Sequence, residues 1–242
     1  MTKSMKDIFP SPEEVLKLEP EELAVFLLEY LCEVEKGSPN SLNRYNFTLQ
    51  STLGLYAEER YKEVSKVMTE AWIWLEREGM IAPTPGTQGE WVFITRKGWK
   101  LRDKTDLTAY LKGTFLPEQS LDPVLARKVR PLFIRGDYDT AIFQALKEVE
   151  IRVRNNANLP MDLVGVELMR KAFHSDNGPL TDKKQILAER EATSHLFAGA
   201  IGLLKNPSSH RDVDLNDPGE VAELILFSNY LIRLADRHAQ KD

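Results

Sequence analysis

The residues best suited to chemistry in this chain lie together at Lys205-Asn206-Pro207-Ser208-Ser209-His210-Arg211-Asp212. An unperturbed imidazole titrates at about 6.5, so His210 can take a proton from an oxygen, or return one, near neutral pH. Lys205 and Arg211 bring fixed positive charge of the kind that stabilises an anion as it forms. Asn206 can orient the ring or hydrogen-bond such an anion. Pro207 disfavours helical geometry at Asn206 and would clash with a preceding helical turn. The chain must therefore bend where the cations and the imidazole gather, within reach of one another.

The elements that must hold this cluster are helical. Before it runs the long segment Lys183 to Leu204, with Ile186, Leu187, Leu196, Phe197, Ala200, Ile201 and Leu204. After it, Asp217-Pro218-Gly219-Glu220 supplies an N-cap, a proline for the first turn and an acid that can close a capping box, opening a helix through Val221, Leu224, Ile225, Tyr230, Leu231 and Leu234. Upstream, the pattern predicts one helix from Pro123 to near Gly136 and a second from Tyr138 to about Asn155. A short third helix is predicted from Leu163 to Phe173. Amphipathic helices without a strand signal imply a helical bundle over 122–242. Glu148, Arg152 and Asn155 fall at helical spacing and could face the cluster, with Glu189 and Arg190 as weaker supporting candidates; ordinary surface salt bridges are the more common explanation of such patterns.

The N-terminal part reads differently. Ser11-Pro12-Glu13-Glu14 and Pro20-Glu21-Glu22 mark helix starts, and Glu58 to Glu78 carries Val64, Val67, Met68, Ala71, Trp72 and Leu75 on one face before stopping at Gly79. Met80-Ile81-Ala82-Pro83, a turn at 84–89 and the β-branched, aromatic run Trp91-Val92-Phe93-Ile94-Thr95 suit a hairpin, and Arg96 to Asp103 is again helical. Residues 106–121 contain Gly113 and Pro117 without a clear period and are read as a linker between domains at 1–105 and 122–242.

Lys205-Asn206 followed by three residues and His210, at the end of a long bundle helix, resembles the signature of the HEPN family. The likeness extends over about 122–240 and includes Gly136-Asp137-Tyr138-Asp139-Thr140-Ala141. Asn206-Pro207-Ser208-Ser209-His210-Arg211 running into Glu220 to Arg233 looks most like the Ymh-type bacterial proteins of uncharacterised role. The resemblance implies a metal-independent endoribonuclease in which the RNA's own 2′-hydroxyl attacks, leaving a cyclic phosphate and a 5′-hydroxyl, with His210 as acid and base. It also implies a homodimer through the C-terminal bundle, and a role in antiphage defence or as a toxin. Members usually begin the motif with Arg; Lys205 keeps the charge but lacks the planar fork that grips phosphate through two bonds. Either Lys205 suffices, Arg211 substitutes, or activity is weakened. The alternative is a non-catalytic regulator or adaptor that uses the bundle for dimerisation and ligand binding. In the N-terminal part, Ala71 to Ile81 followed by Phe93-Ile94-Thr95-Arg96-Lys97-Gly98 resembles a winged-helix domain, which implies a DNA or a protein partner.

Composition narrows the rest. With 242 residues, 42% hydrophobic and 29% charged, the chain suits one large or two small globular domains. The net charge of -5 repels phosphate overall, so nucleic-acid binding must rest on local patches. The densest patch holds Arg96, Lys97, Lys100 and Arg102, either a phosphate-binding surface or a solvated face. The acids Glu58, Glu59, Glu63, Glu70, Glu76 and Glu78 on the preceding helix disfavour a major groove. No run spans a bilayer and the first residues lack the apolar core of a secretion signal, so a cytoplasmic protein is expected. Cys32, the single cysteine, reads as core filling. Asp212 to Asp217 with Glu223 only superficially has calcium-loop spacing, because Asp217 stands where glycine is needed. His174, His195 and His238 have no partners at ligand spacing. Neither a metal nor a cofactor is expected. Trp72, Trp74, Trp91 and Trp99 read as core and wing packing rather than as base-stacking platforms.

Overall fold

In the computed structural model, residues 5–9, 11–49, 58–205 and 217–240 are described. The chain is mainly helical, with one two-stranded antiparallel sheet. It divides into two compact units between Leu111 and Lys112.

The first unit is built on α3 (Pro20–Gly37) and α5 (Glu58–Arg77). Short helices α1 (Met5–Ile8), α2 (Pro12–Leu16) and α4 (Arg44–Thr48) accompany them. Ser11 caps α2, accepting from the Glu13 amide at 3.1 Å, and Glu19 with Glu22 closes a capping box at the start of α3. Leu23, Leu27, Leu28 and Leu31 of α3 meet Val64, Met68, Ala71, Trp72 and Leu75 of α5 in one buried core. Their three- and four-residue spacing is what puts them on facing stripes.

Helix α5 leaves through Gly79 at φ 68°, a left-handed position that favours glycine, with the Met80 amide bonded back to Leu75 O at 2.9 Å. The hairpin follows as β1 (Ile81–Pro83) and β2 (Val92–Ile94), Ile81 opposite Ile94. Val92 and Ile94 face inward while Phe93 lies on the exposed side. Thr95 then does two things. Its hydroxyl donates to Gly79 O at 2.7 Å and accepts from the Gly98 amide at 3.1 Å, capping α6 (Arg96–Lys100). Gly98 is held so close to the hairpin entry that a β-carbon there would lie 2.1 Å from Met80 O. The Thr-Arg-Lys-Gly pattern is thus a cap plus a close backbone approach.

Residues read as linker contain a helix, α7 (Lys104–Phe115), whose length spans the division between units. The Asp103 carboxylate accepts from the Thr105 amide at 2.9 Å and starts it, and Leu107 is fully buried in the first unit. One buried residue and a weak apolar period left this helix invisible to pattern reading.

The second unit is a bundle of α8 (Pro123–Lys128), α9 (Arg130–Arg135), α10 (Tyr138–Ala157), α11 (Gly165–Ala172), α12 (Leu187–Ala200) and α13 (Pro218–Ala239). The expected single helix from Pro123 is two, because Pro131 has no N–H to continue the ladder and sits instead in the first turn of α9. The expected start at Lys183 moves to Leu187. Asp182 takes the Lys184 amide on its side chain at 3.0 Å and the Gln185 amide on its carbonyl at 3.1 Å, a turn that competes with helix. Helices α10 and α13 pack along one another at the centre. Phe173 and Phe197 stack at 4.1 Å between α11 and α12. Among the described residues no helix is long and apolar enough to cross a membrane.

Candidate functional site

Helix α12 does not end in an ordinary turn. The chain continues from Ala200 straight into a wider π-turn, Ile201–Lys205. Such widened turns shift the hydrogen-bond ladder by one residue, and Pro207 in the sequence has no amide to continue a regular one. Ile201 is buried, and Gly202 brings the turn close to α11: a β-carbon there would lie 3.2 Å from Val166 Cγ2. Lys205 closes the turn. Asn206, His210 and Arg211 lie outside the described residues.

Lys205 points back into the bundle. Its ammonium donates to Glu150 Oε2 at 2.8 Å and lies 5.4 Å from the centre of the Phe143 ring. The Lys205 side chain is 16% exposed and that of Glu150 5%. Glu150 uses its other oxygen as well, accepting from the Gly165 amide at the start of α11 at 3.1 Å. One turn further along α10, the buried Arg154 guanidinium donates to Leu163 O at 3.0 and 3.2 Å. Two buried charges of α10 thus hold the two ends of the 163–165 turn, where Gly165 adopts φ 65°. Neither charge is left alone, as burial requires. The sequence pattern gave no hint of this role for Glu150, because Lys147 and Arg154 lie within helical reach of it and make it look like an ordinary helix-surface charge, whereas its partner Lys205 is 55 residues away.

The residues expected to support the site are engaged elsewhere. Glu148 is buried and accepts from Lys128 Nζ at 2.7 Å and Gln144 Nε2 at 2.6 Å. Arg152 donates to Asp122 at 3.1 and 3.2 Å and pairs with Asp236, which also accepts from Asn156 Nδ2 at 2.9 Å. Gln144, Glu148, Arg152 and Asn156, each four residues from the next, therefore form one polar stripe that ties α10 to α8, to the 118–122 segment and to α13. Asn229 completes that tie, accepting from the Asp122 amide at 2.6 Å and donating to Ser120 O at 3.0 Å. Asn155 faces outward and is exposed. Glu189 is exposed at the start of α12, and Arg190 is half-buried with its guanidinium donating to Ser175 O. The structure joins Lys205 to Glu150 and does not join it to Glu148, Arg152, Glu189 or Arg190.

In the first unit the basic run is split. Arg96, Lys100 and Arg102 are exposed, with Arg102 donating to Trp99 O at 3.3 Å. Lys97 turns inward to Glu78 O at 2.6 Å and Tyr110 Oη at 2.9 Å, and its ammonium sits 4.4 Å from the Tyr110 ring centre. It anchors the exit of α5 rather than extending the exposed patch. Trp72 and Trp74 are buried, Trp99 packs partly buried against the core, and Trp91 is 39% exposed.

The second unit is therefore a helical bundle with a buried ion pair at the turn that follows α12. Residues 119–234, nearly all of that bundle, match the model of a family described as "Protein of unknown function (Hypoth_ymh)". No match was found among curated proteins or among solved structures.

Proposed function

We propose that this protein is a metal-independent endoribonuclease of the HEPN type, with His210 exchanging the protons. In this reading His210 takes the 2′-hydroxyl proton and returns one to the leaving 5′-oxygen, general acid–base work worth roughly 100- to 10,000-fold. Asn206 orients the imidazole or a phosphate oxygen, and positive charge from the motif stabilises the phosphorane-like transition state. The observation that carries the reading is the sequence Lys205-Asn206-x3-His210, whose Lys205 is the last residue of the π-turn following α12, in a bundle similar to the Ymh-type family.

The same reading takes RNA as substrate and a second copy of the chain as partner through the bundle. It assigns the protein to the cytoplasm, in antiphage defence or as a toxin. The first unit, a helix leaving through Gly79 into a hairpin and a short capped helix, supports a winged-helix-like sensing or tethering module with a DNA or protein partner.

A second reading, a non-catalytic regulator or adaptor, is favoured by one specific feature. Two cations of the expected sites, Lys205 and Lys97, are committed to Glu150 and to the Glu78–Tyr110 pair. Incubation with structured and unstructured RNA in EDTA, beside His210→Ala, separates the two. The nuclease reading expects cyclic-phosphate products from the wild-type protein and none from the variant. Equal degradation by both removes it. Steep, salt-dependent duplex DNA binding unaffected by His210→Ala supports the regulator.

A further inference from the structure

The first unit holds a cavity of about 180 Å³ among the second half of α3, the 41–43 segment, α4 and α5. Three aromatic side chains line it. The Phe47 ring lies 6.0 Å from that of Tyr30 and 5.4 Å from that of Trp72, and Val34 and Leu42 add apolar surface to the wall. The Trp72 indole N–H is committed elsewhere, to Glu76 Oε1 at 3.1 Å. Among the described residues no charged side chain lines the cavity. Burial raises the Tyr30 hydroxyl above its ordinary 10.0, so that group too is neutral near physiological pH.

One polar group in this wall is left over. Asn43 is 8% exposed, and its Oδ1 accepts from the Asn46 amide at 2.9 Å, the bond that caps α4. That bond fixes which end of the carboxamide is oxygen, and Nδ2 has no acceptor among the described residues. A donor so sheltered from water is stabilised by meeting an acceptor. The backbone around it is held on both sides, the Val92 amide donating to Leu42 O at 3.0 Å and the Arg44 amide to Glu90 O at 2.9 Å, so the donor is preorganised. The Tyr30 hydroxyl, likewise without a hydrogen-bond partner among the described residues, can accept an N–H. Size and polarity together select the ligand. An apolar cavity of about 150 Å³ holds one benzene ring, so this one has room for a single ring with a small substituent and not for a nucleotide. A charged group brought in would lie among aromatic rings without a counter-ion. We propose that the cavity binds a neutral monocyclic aromatic amide, its ring against Phe47 and Trp72 and its carbonyl oxygen accepting from Asn43 Nδ2. This site belongs to the first unit alone and is independent of RNA cleavage by the bundle.

The experiment titrates the full chain with benzamide, and with toluene and benzoate as its apolar and charged counterparts. Binding is followed by calorimetry and by proton–nitrogen NMR of the Asn43 side-chain amide and the Trp72 indole. Benzamide is expected to bind one-to-one with a Kd of about 1 mM or tighter and to shift both resonances. Toluene, which offers no acceptor, should bind roughly five- to tenfold more weakly. Benzoate should not bind measurably. Asn43→Ser keeps an oxygen able to cap α4 and withdraws the amide nitrogen, so it should erase the preference for benzamide over toluene. Val34→Phe fills the cavity and should abolish binding of both, each variant first showing a native circular dichroism spectrum. If neither variant folds, the three probes and the two resonances of the wild-type protein decide alone. Absence of saturable benzamide binding by the wild-type protein overturns the site. Toluene or benzoate bound as tightly as benzamide overturns the ligand class. Benzamide binding that survives Val34→Phe, or that leaves the Asn43 and Trp72 resonances unmoved, lies elsewhere and overturns the site as well.

Discussion

Arg152 Nη2 lies 3.1 and 3.2 Å from the two carboxylate oxygens of Asp122, joining the middle of α10 to the residue that caps α8. The same guanidinium pairs with Asp236 of α13, so one side chain holds three parts of the bundle. Its side chain is 27% exposed, which places the interaction between a surface pair and a buried one. Arg152→Ala should cost about 2 kcal/mol, less than a fully buried pair would. Arg152→Lys should recover under half of that, because a point charge cannot serve two carboxylates with one rigid fork. Differential scanning calorimetry measures both, and a transition unchanged by Arg152→Ala would show the pair to be ornamental.

Two glycines make opposite predictions. At Gly98 a β-carbon meets backbone, Met80 O at 2.1 Å, so Gly98→Ala must push the hairpin away from α6 and should destabilise the first unit by about 2 kcal/mol or more. Gly199, inside α12, has nothing within 4 Å of the added carbon. Gly199→Ala should instead stabilise by about 0.5–1 kcal/mol, through helix preference alone. Denaturant titration of the two variants side by side tests the contrast.

Burial pushes the Cys32 thiol up to about 12, from an ordinary value of 9.0. At pH 8 the native protein should therefore resist iodoacetamide, and mass spectrometry should find modification only when the first unit opens. The folded state holds this proton more tightly than the unfolded chain, so the thiol contributes stability that is full below its ordinary value and fades as pH rises from there toward 12. Tyr30, raised by burial as well, acts in the same direction. Alkaline melting should accordingly lower the transition of the first unit. Rapid native-state alkylation at pH 8 would contradict the buried placement.

Asp217 caps α13, accepting from the Gly219 amide at 2.8 Å. Removing that acceptor in Asp217→Ala should cost about 1 kcal/mol. Asp217→Asn keeps the acceptor and loses only the favourable charge at the helix start, about 0.5 kcal/mol. Thermal unfolding of the two variants distinguishes capping from charge.

Much of this architecture was legible from spacing. Leu23 to Leu31 and Val64 to Leu75 announce the first core, Gly79 the exit of α5, and Asp217-Pro218 the entry of α13, because each signal is local to one or two turns. What spacing could not convey was partnership across the chain. Glu148 and Arg152 stand at helical spacing on one face, yet their partners are Lys128, Asp122 and Asp236, up to 84 residues distant. Glu150, one position from an apolar stripe, carried no signal because its meaning depends on a lysine 55 residues further on. The helix α7 was missed for the opposite reason, since it buries too little to leave a periodic mark.

The stripe Gln144, Glu148, Arg152, Asn156 advances by four residues at each step, slightly more than one helical turn. Inserting or deleting a single residue within α10 would rotate everything beyond it by about 100°, sending Glu150 and Arg154 away from their partners and carrying charge into the leucine-rich side. That helix can change length over evolutionary time only in whole-turn increments of three or four residues. The 174–186 connection carries no helical phase, but Leu180 in the core and the Thr181–His174 and Arg190–Ser175 bonds pin much of it, so natural variants should accumulate insertions only at its exposed positions.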